Sequence, residues 1–104
     1  MLLYNTTTKI EHGIHEEWVR WMREDYIPQV MECGVFEEYK FSRLLGVDES
    51  DGLTYALQLT VSSRPAFDIY QEKFAYDHQQ LHDRRYKGNF VTFRSVLDVV
   101  QHGN

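Results

Sequence analysis

The sequence predicts an α+β fold whose elements run β-α-β-β-α-β. Three observations carry it. Residues 2–10, 35–47, 53–61 and 89–100 alternate in polarity or are rich in β-forming side chains, the two-residue period of a strand with one covered face. Residues 14–33 and 63–87 instead repeat their apolar side chains at three and four, the period of an amphipathic helix. Gly13, Gly34, the polar run 48–52 and Gly88 separate these stretches, as chain-turning residues do. At 104 residues the chain is expected to form one domain, 1–104.

Residues 2–10 form the first strand and Glu11-His12-Gly13 a short turn. Gly13 is placed to cap a helix, with Glu16 and Glu17 in its positively polarised first turn. On that helix Ile14, Trp18, Trp21 and Met22 fall within about 100° of one another, and Glu16, Arg20, Arg23 and Glu24 face solvent. Pro28 removes a backbone donor and disfavours helix at Ile27. A stop or kink is therefore expected near Asp25–Ile27, then a short helix to Cys33, terminated by Gly34 in the left-handed region.

The second strand, 35–47, carries Phe36 on one face and Tyr39 and Phe41 on the other. Residues 48–52 make a polar hairpin loop ending in glycine. The third strand, 53–61, is the clearest: Leu53, Tyr55, Leu57, Leu59 and Val61 on one face, Thr54, Ala56, Gln58 and Thr60 on the other. Ser63 is a plausible cap for the second helical stretch, whose stripe is Phe67, Tyr70, Phe74 and Leu81. The same phase would bring Asp77 into the stripe, so a break is expected around Ala75–Asp77. In the last strand Val91, Phe93, Leu97 and Val99 share one face, and Phe90, Thr92, Arg94 and Val96 the other.

This order is the ferredoxin-like plan: a four-stranded antiparallel sheet with two helices on one face. The other face stays bare. Aromatic residues make up 14% of the chain, seven Tyr, six Phe and two Trp. So many rings exceed what a small core absorbs, and the second and fourth strands are expected to carry some on the bare face. Four strands of this length present roughly 500 Å² there, as much as a monomer usually leaves exposed and apolar. A homodimer through the helix-free sheet face is therefore expected, its two sheets curling into a dimeric α/β barrel.

The net charge of −5 disfavours nucleic-acid and anionic-membrane partners, which require a positive footprint. Cys33 is the one cysteine, so neither an intrachain disulfide nor a thiolate metal site is expected. The N-terminal residues lack the basic start and apolar run of a secretory signal, and no apolar stretch of spanning length occurs. A cytoplasmic location is the expectation.

Met-Leu-Leu-Tyr-Asn-Thr-Thr, Ile14-His15-Glu16-Glu17-Trp18 with Trp21-Met22, and Ile27-Pro28-Gln29-Val30 before Gly34 resemble a family of short bacterial proteins. So do Arg43-Leu44-Leu45, Thr54-Tyr55 with Gln58, and Phe90-Val91 with Phe93-Arg94-Ser95. The family is a domain of unknown function in the dimeric α/β-barrel superfamily, and the similarity covers nearly the whole chain. It implies the ferredoxin-like fold, a homodimer and a pocket, but no particular reaction. Relatives often have His where this chain has Tyr26 and Phe74, so a mechanism built on those imidazoles does not carry over.

Arg94 and Arg43 are the leading candidate ligand-binding residues. Each is a cation in a strand among apolar neighbours and needs a counter-charge. Asp25, Glu37, Glu38 and Asp98 are candidate partners, and a carboxylate ligand is the functional alternative. Asn5, Gln58 and Tyr55 lie mid-strand and can orient a ligand. His15 sits at the edge of the buried helical stripe, and Trp18 is either core or a stacking surface. His78 and His82, four apart, have the spacing of a weak metal pair, although solvated helix-end positions account for them as well. No cofactor is expected. The expected function is a homodimeric module binding a small carboxylate-bearing molecule. The alternative is a small cofactor-free enzyme of the monooxygenase or isomerase type, which requires an enclosed, partly polar pocket.

Overall fold

Four strands form one antiparallel sheet in the order β2-β3-β1-β4 in a computed structural model that describes residues 1–104. The strands are β1 (Leu2–Ile10), β2 (Phe36–Arg43), β3 (Leu53–Val61) and β4 (Phe90–Asp98). Between β1 and β2 run a 3-10 turn (His12–Ile14), α1 (His15–Trp21), a π-helical turn (Met22–Tyr26) and α2 (Ile27–Met31); between β3 and β4 run α3 (Arg64–Lys73) and α4 (Ala75–Tyr86). This is the ferredoxin-like architecture, with each helical segment crossing over the same sheet face.

The kink expected before Pro28 is a π-helical turn. It inserts one extra residue per turn, so the apolar face of α1, ending in Trp18, Trp21 and Met22, resumes five residues later at Ile27 and then Val30, all buried. Pro28 then sits in the first turn of α2, where its missing donor costs nothing. Gly34 and Gly88 adopt φ of 78° and 86°, the left-handed conformation open to glycine. Gly13 does not cap α1. It lies inside the 3-10 turn, and no side chain caps the helix.

In the second helical segment the Ser63 hydroxyl accepts from the Ala66 N–H at 3.2 Å. The break falls at Phe74 (φ −124°), just before the expected position. It resets the phase: α4 buries Ala75, His82 and Tyr86, and Leu81 turns outward.

β1 and β3 run in perfect register from Leu2↔Val61 to Ile10↔Leu53. Gly52 leads into β3 where a Cβ would stand 2.7 Å from the Ile10 carbonyl oxygen, so only glycine fits there. β2 departs from the expectation twice. It ends at Arg43, leaving Leu44, Leu45 and Val47 exposed in the connecting loop. It also carries a bulge between Phe36 and Glu38. The extra residue flips the alternation, so Phe36, Tyr39 and Phe41 all pair with helix-facing residues of β3 (Val61, Leu59 and Leu57). The bare face therefore lacks the β2 rings expected there. Its exposed apolar residues are the β4 stripe Val91, Phe93 and Leu97.

The core lies between sheet and helices, with Ile10, Trp18, Val30 and Val61 almost fully enclosed. No helix is long and apolar enough to cross a membrane. Replacing Ser63 with Ala removes the α3 cap and should lower unfolding stability by about 1 kcal/mol. Urea denaturation would check this, with the midpoint falling and the slope unchanged.

Candidate functional site

The helix-facing side of β1 reads Leu2, Tyr4, Thr6, Thr8, Ile10. Thr6 and Thr8 are small where a packed core would place larger aliphatics. Thr92 stands beside Thr8 on β4, their hydroxyls 3.2 Å apart. Above these threonines a cavity opens between the sheet and both helical segments. It is small, about 30 Å³, with room for one or two waters.

Its floor follows a row of directly paired residues across all four strands: Arg94 of β4, Thr6 of β1, Leu57 of β3 and Phe41 of β2. Trp18, Met22, Tyr26 and Val30 hang over it from the first helical segment, and Tyr70, Gln79 and His82 from the second.

One buried bond ties the two halves of this roof, and Arg85 Nη2 of α4 adds an exposed one to Glu17 Oε1 of α1 at 3.3 Å. The Trp18 indole N–H donates to His82 Nε2 at 3.0 Å, both residues being buried. An indole nitrogen can only donate, so Nε2 accepts and the ring proton sits on Nδ1, which donates to Asp83 Oδ1 at 3.0 Å. Burial pushes the His82 pKa down, and the Asp83 carboxylate opposes that only in part. His82 is therefore a neutral ring with both nitrogens engaged, not a solvated helix-end histidine. His78 shares a hydrogen bond of 2.8 Å with the Tyr70 hydroxyl. The two histidines serve different partners and do not converge on one ion, and no group of three His, Cys, Asp or Glu is placed to hold a metal.

Arg94 and Arg43 differ sharply. Arg43 forms a forked pair with Glu49, 3.2 Å from Nε and 2.9 Å from Nη2. Its partner comes from the β2–β3 loop, not from Asp25, Glu37, Glu38 or Asp98. Arg94 lines the cavity and is paired with no carboxylate. The two cations stand on opposite edge strands and form no joint clamp.

His15, Tyr55 and Trp18 come together at the β2–β3 end of the cavity. His15 Nε2 lies 2.6 Å from the Tyr55 hydroxyl. Tyr55 stacks on Phe41 with ring centres 5.3 Å apart, and Trp18 packs against both. Burial, followed by the charge of Arg43, lowers the His15 pKa. Asn5 and Gln58 pair directly across β1 and β3 but on the helix-free face. There Asn5 Nδ2 donates to the Thr7 hydroxyl, and its Oδ1 is buried without a partner.

Thr6, Thr8, Thr92, Tyr26 and Gln79 are cavity residues that sequence reasoning missed. The available signal was the two consecutive inward threonines of β1, which read as ordinary β-formers.

The model of a family described as a domain of unknown function, DUF4286, matches residues 1–100. No curated protein matches the chain. Among solved structures, a dimeric ferredoxin-like protein from an uncultured marine organism superposes with a TM-score of 0.72 at 9% identity, covering 100% of this chain and 99% of that one. HapK from Hahella chejuensis superposes with 0.71 at 11% identity, covering 100% and 97%. An antibiotic biosynthesis monooxygenase superposes with 0.61 at 16% identity, covering 97% and 100%. Likeness at such identities establishes the fold alone.

The neutral His82 ring predicts a pH dependence. A histidine in the unfolded chain titrates near 6.5, and the folded ring titrates lower. Between the two values the unfolded chain binds more protons, so stability falls as pH drops through about 6.5. His82→Gln keeps an acceptor for Trp18 and removes the titration. Urea midpoints from pH 7.5 to 5.5 should show a shallower decline for this variant than for the parent. Some slope should persist, because His15 and His78 are shifted down as well.

Proposed function

The chain belongs to the DUF4286 family, and we propose that it is a homodimeric module that binds a small carboxylate-bearing molecule between sheet and helices. The observation that carries this reading is Arg94, a permanent cation facing the cavity with no carboxylate of its own. A guanidinium at the mouth of an apolar space gains most from a planar anion that accepts two parallel hydrogen bonds. The cavity hydroxyls of Thr6, Thr8 and Thr92 can orient such a ligand.

Binding is favoured over acid–base catalysis by the state of His82. A general base needs a nitrogen free to meet its substrate, and both of its nitrogens are occupied. An enzyme of the monooxygenase or isomerase type therefore stays the second reading.

The homodimer rests on the helix-free face. Val91, Phe93 and Leu97 are 61%, 72% and 48% exposed on one side of edge strand β4, and β1 adds Leu3 beside Leu97. An apolar stripe on an otherwise polar sheet suits a two-fold contact with its own copy. Light scattering of the purified protein should give the mass of a dimer, and Phe93→Glu should give a monomer. A monomeric parent at micromolar concentration would refute this half of the proposal.

For the ligand, a panel of small carboxylates should raise the melting temperature of the parent, as a ligand selective for the folded state does. Arg94→Gln should lose those shifts while keeping the parent's ligand-free melting temperature, since Arg94 is exposed and makes no ion pair. Equal shifts in both proteins would overturn the assignment of Arg94.

A further inference from the structure

The sheet has two edges, and the chain treats them differently. An open edge presents a row of backbone N–H and C=O groups ready to pair with another strand, and proteins that stay single blunt such edges with bulges and charges. β2 is blunted in both ways: it bulges between Phe36 and Glu38 and exposes Glu37, Glu38 and Lys40. β4, at the opposite edge, is not blunted. It runs nine residues in unbroken register with β1, without a bulge, a lysine or a proline. It is also apolar on both faces. Val91, Phe93 and Leu97 stand exposed on the helix-free side, and Val96 is 46% exposed on the helix-facing side. Long, regular and apolar on both faces, this edge is shaped to be paired.

We propose that β4 pairs antiparallel, edge to edge, with β4 of a second copy about a two-fold axis at Ser95, so that the two sheets join into one of eight strands. The proposal rests on the homodimer reading and adds how the copies join.

The register follows from the strand's own pattern. A two-fold axis normal to the sheet keeps the helices of both copies on one side, and only an axis near the middle of β4 pairs most of the strand. Centring on Arg94 would set it against the partner's Arg94, and like charges directly opposite destabilise a pair. Centring on Val96 would join Arg94 to the partner's Asp98, an exposed ion pair of small worth. It would also set Ser95 against the partner's Leu97 and Val91 against the partner's Gln101. Centring on Ser95 sets Phe93 against the partner's Leu97 and Val91 against the partner's Val99, each twice by symmetry, with the two serines meeting on the axis. The apolar stripe then covers itself through aromatic and aliphatic cross-strand pairs. Arg94 stands opposite the partner's Val96 and keeps its guanidinium for the cavity.

Disulfide trapping on the full chain, with Cys33→Ser to remove the native thiol, tests this register. Ser95→Cys should give a covalent dimer under mild oxidation, because directly opposed residues of an antiparallel pair stand about 4.5–5.5 Å apart at Cα, within disulfide reach. Val96→Cys should give none, its two copies lying on a diagonal of roughly 8 Å, and neither should Ser42→Cys on the blunted edge. Amide hydrogen exchange gives a second readout that needs no cysteine. The β4 amides turned away from β1 should exchange at least about tenfold more slowly in the parent than in Phe93→Glu. A dimer that crosslinks at Val96 and not at Ser95 overturns the proposed register. A dimer whose outward β4 amides exchange as fast as those of Phe93→Glu overturns edge pairing and leaves the homodimer reading standing. A monomeric parent overturns both.

Discussion

The bond from Trp18 to His82 holds the rest of the structure in place. Two helical segments cross a sheet whose inner strand β1 offers them only Thr6 and Thr8 in its middle, with apolar side chains on either side of that gap. Above the gap the segments meet each other, through this buried bond and, at the rim, through Arg85 and Glu17, 3.3 Å apart. The buried bond works only while His82 is neutral, since a protonated ring has no acceptor for the indole. Rings of Trp21, Tyr26, Tyr86 and Phe90 surround the imidazole and keep water, and hence protonation, unfavourable. The π-helical turn belongs to the same solution. Its added residue lets Trp18 reach His82 while Ile27 and Val30 still point at the sheet.

The two strand arginines show how topology decides what a charge does. Both sit on the helix-facing side of edge strands. β2 is followed by a loop that folds back and supplies Glu49, so Arg43 is satisfied within its own hairpin. Asp98 shares a face with Arg94 but stands four residues on, roughly 13 Å along the strand. Arg94 is left beside the cavity with a free guanidinium, which is the asymmetry a carboxylate ligand would use.

How far the fold could be read depends on which local rule governed each element. β3 alternates strictly and β1 is dense in β-forming residues, and both match the expected bounds without shift. The kink before Pro28 and the glycine stops follow from backbone sterics and also match. β2 was misread because its bulge at Phe36–Glu38 has no sequence mark: Glu37 and Glu38 look like ordinary exposed positions, yet one of them is extra. The α4 stripe was misread because the break at Phe74 shifts the phase of everything after it, exchanging Leu81 for His82. Of the candidate residues, His15, Tyr55 and Trp18 meet at one end of the cavity and Arg94 stands at the other. Asn5 and Gln58 lie beyond the sheet, and Arg43 is spent on Glu49. The cavity was illegible because a void is made by what neighbouring residues fail to fill, and a threonine in a strand gives no hint of the helix above it.

The aromatic content takes on a different meaning once the bulge is placed. Fifteen rings in so short a chain suggested that some lie on the bare sheet face and need a partner to cover them. The bulge moves Phe36, Tyr39 and Phe41 to the helix side, and of the sheet's rings only Phe93 remains on the bare face. Six of the fifteen line the gap over Thr6 and Thr8: Tyr4, Trp18, Tyr26, Phe41, Tyr55 and Tyr70. The surplus is thus the lining of a cavity that the threonines leave open. Large, stiff rings can bridge such a gap without collapsing into it, since they have few rotamers and resist compression. The case for a second subunit passes from the ring count to the stripe on β4, and the ring count becomes an argument about what the cavity can hold.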